Sequence, residues 1–349
     1  MELTTYTNEA VELLKQLISI PSISREENDA ADALCAFLKD KGIVYERIGN
    51  NIVCEGERWR EDCPTLLLNA HIDTVKPCSG WTRDPFTPTM DGERLYGLGS
   101  NDCGGGLVSL LQAFRILRKK ETGYNLVFAV SAEEEVTGAN GFAMLREHLP
   151  KIDVAIVGEP TGMQPAIAEK GLMVVDVTVK GMSGHAARNE GVNAIYKAIE
   201  QIEWLRNYRF AKVSATLGEM KMTTTIIQAG TQHNCIPDRC TYTVDIRTTD
   251  CYTNEEVLNW LRAHLDADVK ARSTHLGASS INIAHPIVRK CIEKGMLPYG
   301  SPTLSDQTLM PWPSLKLGPG ESSRSHRADE YITVREIAQA IETYVTLIG

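Results

Sequence analysis

His71 and Asp73 stand two residues apart at the end of an uninterrupted apolar run, Leu66-Leu67-Leu68. Such a run suits a strand buried on both faces of a parallel sheet. Strand periodicity places residues two apart on one side, so the two side chains are expected to project together. An imidazole in that setting can bind a metal through one nitrogen while the other donates to a carboxylate. Taken alone, the pair reads first as a buried histidine with a hydrogen-bonded partner. Four further stretches favour chemistry: Gly97-Leu98-Gly99-Ser100-Asn101-Asp102-Cys103-Gly104-Gly105-Gly106, Ser131-Ala132-Glu133-Glu134-Glu135, Gly158-Glu159-Pro160-Thr161 and, late in the chain, Ser325-His326-Arg327. Most lie at or just after an expected strand end, where open α/β sheets bind their ligands.

Imidazole nitrogen and carboxylate oxygen are donors that zinc accepts, and together the residues supply a site for two divalent cations. A pair of ions needs one bridging carboxylate. Asp102 is best placed for it, among glycines that let backbone approach a metal. The glycines also fit a helix N-terminus that binds an anion, but no Lys-Ser/Thr follows, as a nucleotide loop requires. Glu133-Glu134-Glu135 would ordinarily be a solvated turn. After a buried strand at the ligand edge it offers two carboxylates with different tasks, one ligating and one free to take a proton from water. His326 lies among serines and arginines, in a segment too polar for a core.

These residues need elements to hold them. Residues 8–18 and 26–41 have the spacing of amphipathic helices, the second opening with the capping-box spelling Ser24-x-x-Glu27. Ile43 to Glu55 reads as two strands about a turn at Gly49-Asn50. The long proline- and glycine-rich connection from Val75 to Leu95 is of a kind that is usually functional. A helix opens at Gly104–Gly106 and carries Leu107, Leu110, Leu111, Phe114 and Leu117 at helical spacing; strands at Asn125–Ala132 and Asp153–Gly158 follow. Strand, helix, strand in this order predicts an α/β fold with a doubly wound, mostly parallel sheet. Near Ala168 the texture changes to the alternation of Met173–Lys180, a helix at Val192–Arg206, strands at Thr223–Ile227 and Cys240–Arg247, and a helix capped by Thr253-x-x-Glu256. That sequence of elements predicts a small α+β sandwich inserted over residues 168–278. The first domain, residues 1–167 and 279–349, then resumes and ends in a helix capped by Thr333-x-x-Glu336.

At 349 residues two domains are the natural expectation. The chain is 43% hydrophobic and 23% charged, as a soluble globular protein is. It has no apolar run long enough for a membrane span, and its first residues have no secretory-signal pattern. A net charge of -9 without a basic stripe argues against a nucleic-acid partner. Nine cysteines, scattered and with no Cys-x-x-Cys, point to reduced thiols in the cytoplasm.

In this order the motifs resemble those of the zinc-dependent amidohydrolase and exopeptidase family that includes acetylornithine deacetylase, succinyl-diaminopimelate desuccinylase, aminoacylase and the glutamate carboxypeptidases. The likeness runs nearly end to end and is strongest to acetylornithine deacetylase or its succinylornithine-specific relatives. It implies two zinc ions, for which cobalt or manganese can substitute. His71 and Glu159 would hold one ion, Glu135 and His326 the other, and Asp102 would lie between. Glu134 would be the base, and Asp73 would orient His71. In the inserted domain Gly181-x-x-Gly184-His185 is similar to the family's lid motif, with His185 reaching the scissile carbonyl oxygen. Asn234, in Gln232-His233-Asn234-Cys235-Ile236-Pro237, would help line the site, and Arg247 would hold a substrate α-carboxylate, for which a guanidinium fork is suited. A surface salt bridge is the other reading of Arg247. The implied activity is removal of an acetyl or succinyl group from the α-nitrogen of an amino acid, foremost N-acyl-ornithine in arginine synthesis. The implied assembly is a homodimer through the inserted domain, which serves as lid. A metallo-dipeptidase or carboxypeptidase, a desuccinylase of diaminopimelate, and an inactive metal-binding scaffold are the alternatives. Three features depart from the family's pattern: Cys103-Gly104 replaces a common Met-Lys, Glu133 replaces an aspartate, and His233 has no assigned role.

Overall fold

The expected buried strand forms and lies at the centre of a sheet. The structure, a computed structural model, describes residues 3–188 and 190–349. It divides into two units: residues up to Ile167 with Ile281–Tyr299 and Ser305–Gly349, and Ala168–Ser280 with Gly300–Leu304.

In the first unit α1 (Leu3–Ile18) and α2 (Asn28–Asp40) each bury one apolar face. Then come β1 (Glu46–Ile48), β2 (Asn51–Glu55), β3 (Thr65–His71), and a hairpin of β4 (Thr89–Asp91) and β5 (Arg94–Tyr96). α3 (Gly105–Leu117), β6 (Asn125–Ser131), α4 (Phe142–Arg146), β7 (Val154–Val157) and β8 (Ala166–Glu169) follow. Every residue of β3, β6 and β7 is buried, as strands covered on both faces must be.

β8 leads into the second unit, which holds β9 (Met173–Lys180), β10 (Gly184–His185), α5 (Ala194–Asn207), β11 (Lys221–Ala229), β12 (Cys235–Ile236), β13 (Arg239–Arg247), α6 (Asn254–His264) and β14 (Asp268–Ala271). Its antiparallel sheet runs β11-β13-β9-β14, and β9 alternates between buried and half-buried residues, as a sheet with one covered face should. Val175, Val177, Tyr242 and Val244 of this sheet pack in one core with Ala198 and Leu205 of α5 and Val257 and Leu261 of α6.

β15 (Ser279–Ser280) pairs with β8. The chain closes with α7 (Pro286–Glu293), β16 (Tyr299–Ser301), β17 (Ser314–Lys316), β18 (Tyr331–Thr333) and α8 (Val334–Ile348). The large sheet runs β1-β2-β6-β3-β7-β17-β8, parallel across β6-β3-β7-β17 and antiparallel toward its edges. This is the expected α/β sheet with a smaller α+β insert. Among the described residues no helix is long and apolar enough to cross a membrane, and no disulfide forms among the nine cysteines.

Thr253 and Thr333 form the capping boxes their spelling predicts. Ser24 and Glu27 do not. The Ser24 hydroxyl donates instead to Asp73 Oδ2 at 2.6 Å. The buried Glu27 carboxylate accepts the N–H groups of Arg25 and Glu133 and the amide of Asn50. Other partners engage both side chains, an acceptor for Ser24 and donors for Glu27, so neither caps α2.

Candidate metal centre

His71 is the last residue of β3, so its ring is fixed by a fully buried strand. Its Nδ1 lies 2.9 Å from the backbone oxygen of Asp73 and 3.5 Å from Asp73 Oδ1. A carbonyl can only accept, so Nδ1 carries a proton, and the ring in its neutral form would present the Nε2 lone pair. That nitrogen faces Asp102 Oδ1 at 3.2 Å and Glu159 Oε1 at 3.7 Å. Because the strand ends at His71, its alternation does not extend to Asp73, and the main chain of Asp73 makes the shorter contact. The Asp73 carboxylate instead accepts the N–H groups of Glu134 at 3.0 Å and Glu135 at 3.1 Å, fixing the acidic turn. Burial opposes its ionisation, but His71, Ser24 and the Glu134 N–H hold its pKa below the usual range.

Asp102 sits in a distorted turn, Ser100–Gly104, that leads into α3; the Asp102–Cys103 peptide is cis. Cys103 Sγ lies under His71 and accepts its backbone N–H at 3.2 Å. The sequence suggested that the glycines open an approach to an ion. Their nearest neighbours are protein: a Cβ at Gly104 would meet the Gly99 carbonyl and Leu14, and one at Gly106 would meet the carbonyl of Gly158. They let the turn and α3 pack against the end of β7.

Glu133 opens the acidic turn at a left-handed φ of 52°, and its Oε1 accepts from Asn140 Nδ2 at 2.9 Å. Glu135 Oε2 lies 3.0 Å from His326 Nε2, which is also 3.6 Å from Asp102 Oδ2. The half-buried Glu134 carboxylate has no hydrogen-bond partner among the described residues. Burial pushes Glu134 well above the usual carboxylate range. Burial and then the charge of Asp102 push Glu159 up to about 8, against the pull of His71 and the buried Lys316. The hydrogen bond to Glu135 lifts His326 to about 9. Carboxylates crowded this closely resist ionising together unless a cation joins them.

The donors fit such a cation. Glu159 Oε1 is buried and has no hydrogen-bond partner among the described residues. Two sets, His71–Asp102–Glu135 and His71–Cys103–Glu159, each bring their ligand atoms within 4.8 Å of one another. Two sets meeting at His71 are consistent with a dinuclear centre. Burial lifts the Cys103 thiol to about 12, which leaves the imidazole and the carboxylates as the ready ligands.

Sequence reasoning missed several buried polar residues here. Asp306 Oδ2 accepts from Ser131 Oγ at 2.5 Å and Asn69 Nδ2 at 3.1 Å, on the two strands that carry the acidic turn and His71. Burial raises its pKa to about 6. Asn101 and Glu330 flank the turn of Asp102. Asn101 and Glu330 lie close in sequence to Asp102 and His326, which marks their neighbourhood but not their partners; Asp306 has no such signal.

The remaining candidates lie in the second unit. His185 is exposed at the end of β10, and its Nδ1 accepts the Ala187 N–H at 3.1 Å. The neighbouring Ala186 N–H donates to the Asn234 carbonyl at 3.1 Å. Arg247 ends β13 with Nε 2.8 Å and Nη2 3.2 Å from the carboxylate of Asp245. His233 is exposed.

The sequence pattern of the family described as Peptidase family M20/M25/M40 matches residues 67–349. An acetylornithine deacetylase from Klebsiella pneumoniae is 31% identical over 368 aligned residues, covering 94% of each chain. Among solved structures, the aminopeptidase PepT from Bacillus cereus has a TM-score of 0.79 at 19% identity, covering 98% of both chains. The YXEP protein of Bacillus subtilis, described as a dinuclear metal-binding peptidase, has a TM-score of 0.74 at 17% identity, covering 99% of this chain and 98% of that one. At such identities the structures show a shared fold. With the family's pattern running through every element that carries the cluster, the chain belongs to peptidase family M20/M25/M40 and is a metal-dependent hydrolase.

Proposed function

We propose that the protein is a cytosolic dizinc hydrolase that removes an N-α-acetyl or N-α-succinyl group from an amino acid, foremost N-acyl-ornithine in arginine synthesis. Glu134 carries the choice of an enzyme over an inert metal-binding scaffold. It is a carboxylate beside the candidate ligands that no hydrogen bond engages among the described residues, and a binding site has no use for it. The choice of ornithine rests on likeness to acetylornithine deacetylase.

One position is assigned to His71 and Glu159 and the other to Glu135 and His326, with Asp102 shared. Divalent ions held there, zinc or in its place cobalt or manganese, would polarise the scissile carbonyl and ease deprotonation of water. Glu134 accepts the proton of the attacking water and returns it to the leaving amine. His185, whose Nδ1 accepts from Ala187, keeps its proton on Nε2 and donates it to the oxyanion. Asn234 lines the site. Arg247 offers the substrate's α-carboxylate the N–H groups that Asp245 leaves free.

In this reading residues 1–167 and 279–349 are the catalytic domain, and 168–278 are the lid and dimerisation domain. β11 is an edge strand with Ile226 49% and Ile227 52% exposed, and such an edge calls for a cover. A two-fold dimer through this domain would supply one, with His185 acting on the neighbour's site.

The test is a panel of N-acetyl and N-succinyl amino acids with dipeptides and tripeptides, assayed with each metal. Preferred turnover of N-acyl-ornithine is expected. Turnover of peptides alone would move the protein to the metallopeptidase reading, and no turnover by metal-loaded protein would leave the scaffold.

A further inference from the structure

Asp102 and His326 are far apart in sequence, and both sit on irregular backbone. Asp102 has φ −115° and ψ 102° within its distorted turn. His326 has φ 58° and a side chain 55% exposed. Neither is fixed by a β-ladder or by core packing. His71 ends the buried β3, and Glu159 follows the buried β7 by two residues. Something else must hold the first pair in place.

Two buried side chains tie the segments together. Glu330, 2% exposed, accepts through Oε1 from the N–H groups of Asn101 at 2.8 Å and Asp102 at 2.9 Å. Its Oε2 accepts from the Gly99 N–H at 3.3 Å. Asn101 holds the other segment: its Oδ1 accepts the Glu321 N–H at 3.0 Å, and its Nδ2 donates to the Glu321 carbonyl at 3.1 Å and to Ser325 Oγ at 3.2 Å. The ties end on Asp102 itself and on Ser325, the neighbour of His326. Three converging buried N–H groups need an acceptor, which an apolar side chain of the same volume could not provide.

We propose that Glu330 and Asn101 are positioning residues that set the separation of Asp102 from His326. They thereby chiefly build the metal position at Glu135 and His326, to which both tied segments contribute, whereas the position at His71 and Glu159 shares only Asp102 with them. This deepens the dinuclear reading above and rests on it.

Glu330→Gln keeps the volume but turns an amide toward the N–H groups. Asn101→Asp keeps the Oδ1 acceptor and loses both donors. Metal-stripped wild type and both variants are titrated with Zn²⁺ by calorimetry, and thermal unfolding is recorded on the same metal-free samples. Wild type is expected to bind two ions. Each variant should bind the ion at Glu135 and His326 about 10–100-fold more weakly, the usual effect of losing a group that orients a ligand, and the other ion, which shares only Asp102, less so. Ser325→Ala removes a half-buried hydroxyl that accepts from Asn101 Nδ2 and also hydrogen-bonds Asp102, and it provides a variant that folds if the others do not; it should weaken the same ion most. Equal weakening of both ions with a lowered Tm would mean a merely structural role and overturn the proposal. So would variants that bind two ions as wild type does, which would leave the dinuclear reading intact. A wild type that takes up fewer than two ions would overturn both.

Discussion

Glu134 and Glu135 are neighbours that differ in what touches them. Both donate their backbone N–H groups to Asp73, so the turn is fixed whatever their side chains do. Glu135 is engaged by His326 at 3.0 Å, while Glu134 is not hydrogen-bonded among the described residues. Removing the free side chain should therefore spare the metals and abolish proton transfer. Glu134→Ala is expected to retain two ions and lose about 10²–10⁴ in turnover, the usual contribution of a general base. Metal analysis and kinetics on one sample check this. Loss of half the metal would reverse the two assignments, making Glu134 the ligand.

Gly106 sets two local effects against each other. Glycine within a helix costs about 0.5–1 kcal/mol relative to alanine, so Gly106→Ala would be stabilising on propensity alone. A Cβ at this position would run into the carbonyl of Gly158 at the end of β7, and backbone cannot swing aside as a side chain can. Overpacking of this kind costs about 1–3 kcal/mol and should win. Because Glu159 follows Gly158, zinc affinity should fall along with stability. Urea unfolding and a zinc titration measure the two, and a more stable variant with unchanged affinity would refute the argument. The same helix shows how far sequence carries. Leu107, Leu110, Leu111, Phe114 and Leu117 announced its buried face, and all five are buried. The order of the strand ends that carry the candidate ligands was legible too, because burial and periodicity are local patterns. Ser24-x-x-Glu27 has the same spelling as the two boxes that form, yet a carboxylate 49 residues away took its serine. Asp306, Asn101 and Glu330 were not legible because their partners lie 175, 220 and 228 residues away. No local spacing encodes such pairs.

On the scale of the whole molecule, the metal-free centre stores protons that an ion must displace. His326 titrates at about 9 and Glu159 at about 8, both above neutrality. At pH 7 the imidazole is therefore charged and the carboxyl protonated, whereas ligation needs a neutral ring and a carboxylate. Uptake releases protons, so apparent zinc affinity should climb between pH 6 and 8 by roughly tenfold per unit for each proton released, then flatten above the higher pKa. Competition titrations against a chelator at several pH values test this, and a flat profile would contradict it. The second unit bears on assembly. Besides Ile226 and Ile227 it exposes Tyr196 at 67% and Ile199 at 50%, both on α5, which is more apolar surface than a solvated face needs. A two-fold interface uses one patch twice, so this unit alone could join two chains and bring His185 of each to the other's metals. His185→Ala and Glu134→Ala should each be inactive as homodimers. Mixed so that subunits exchange, half the dimers are hybrid, and each hybrid has one site with an intact Glu134 served by the neighbour's intact His185. Activity should return to about a quarter of wild type in an equal mixture. Mass spectrometry of the intact dimers shows whether exchange has occurred. Exchange without recovered activity would confine His185 to its own chain, or remove it from the chemistry.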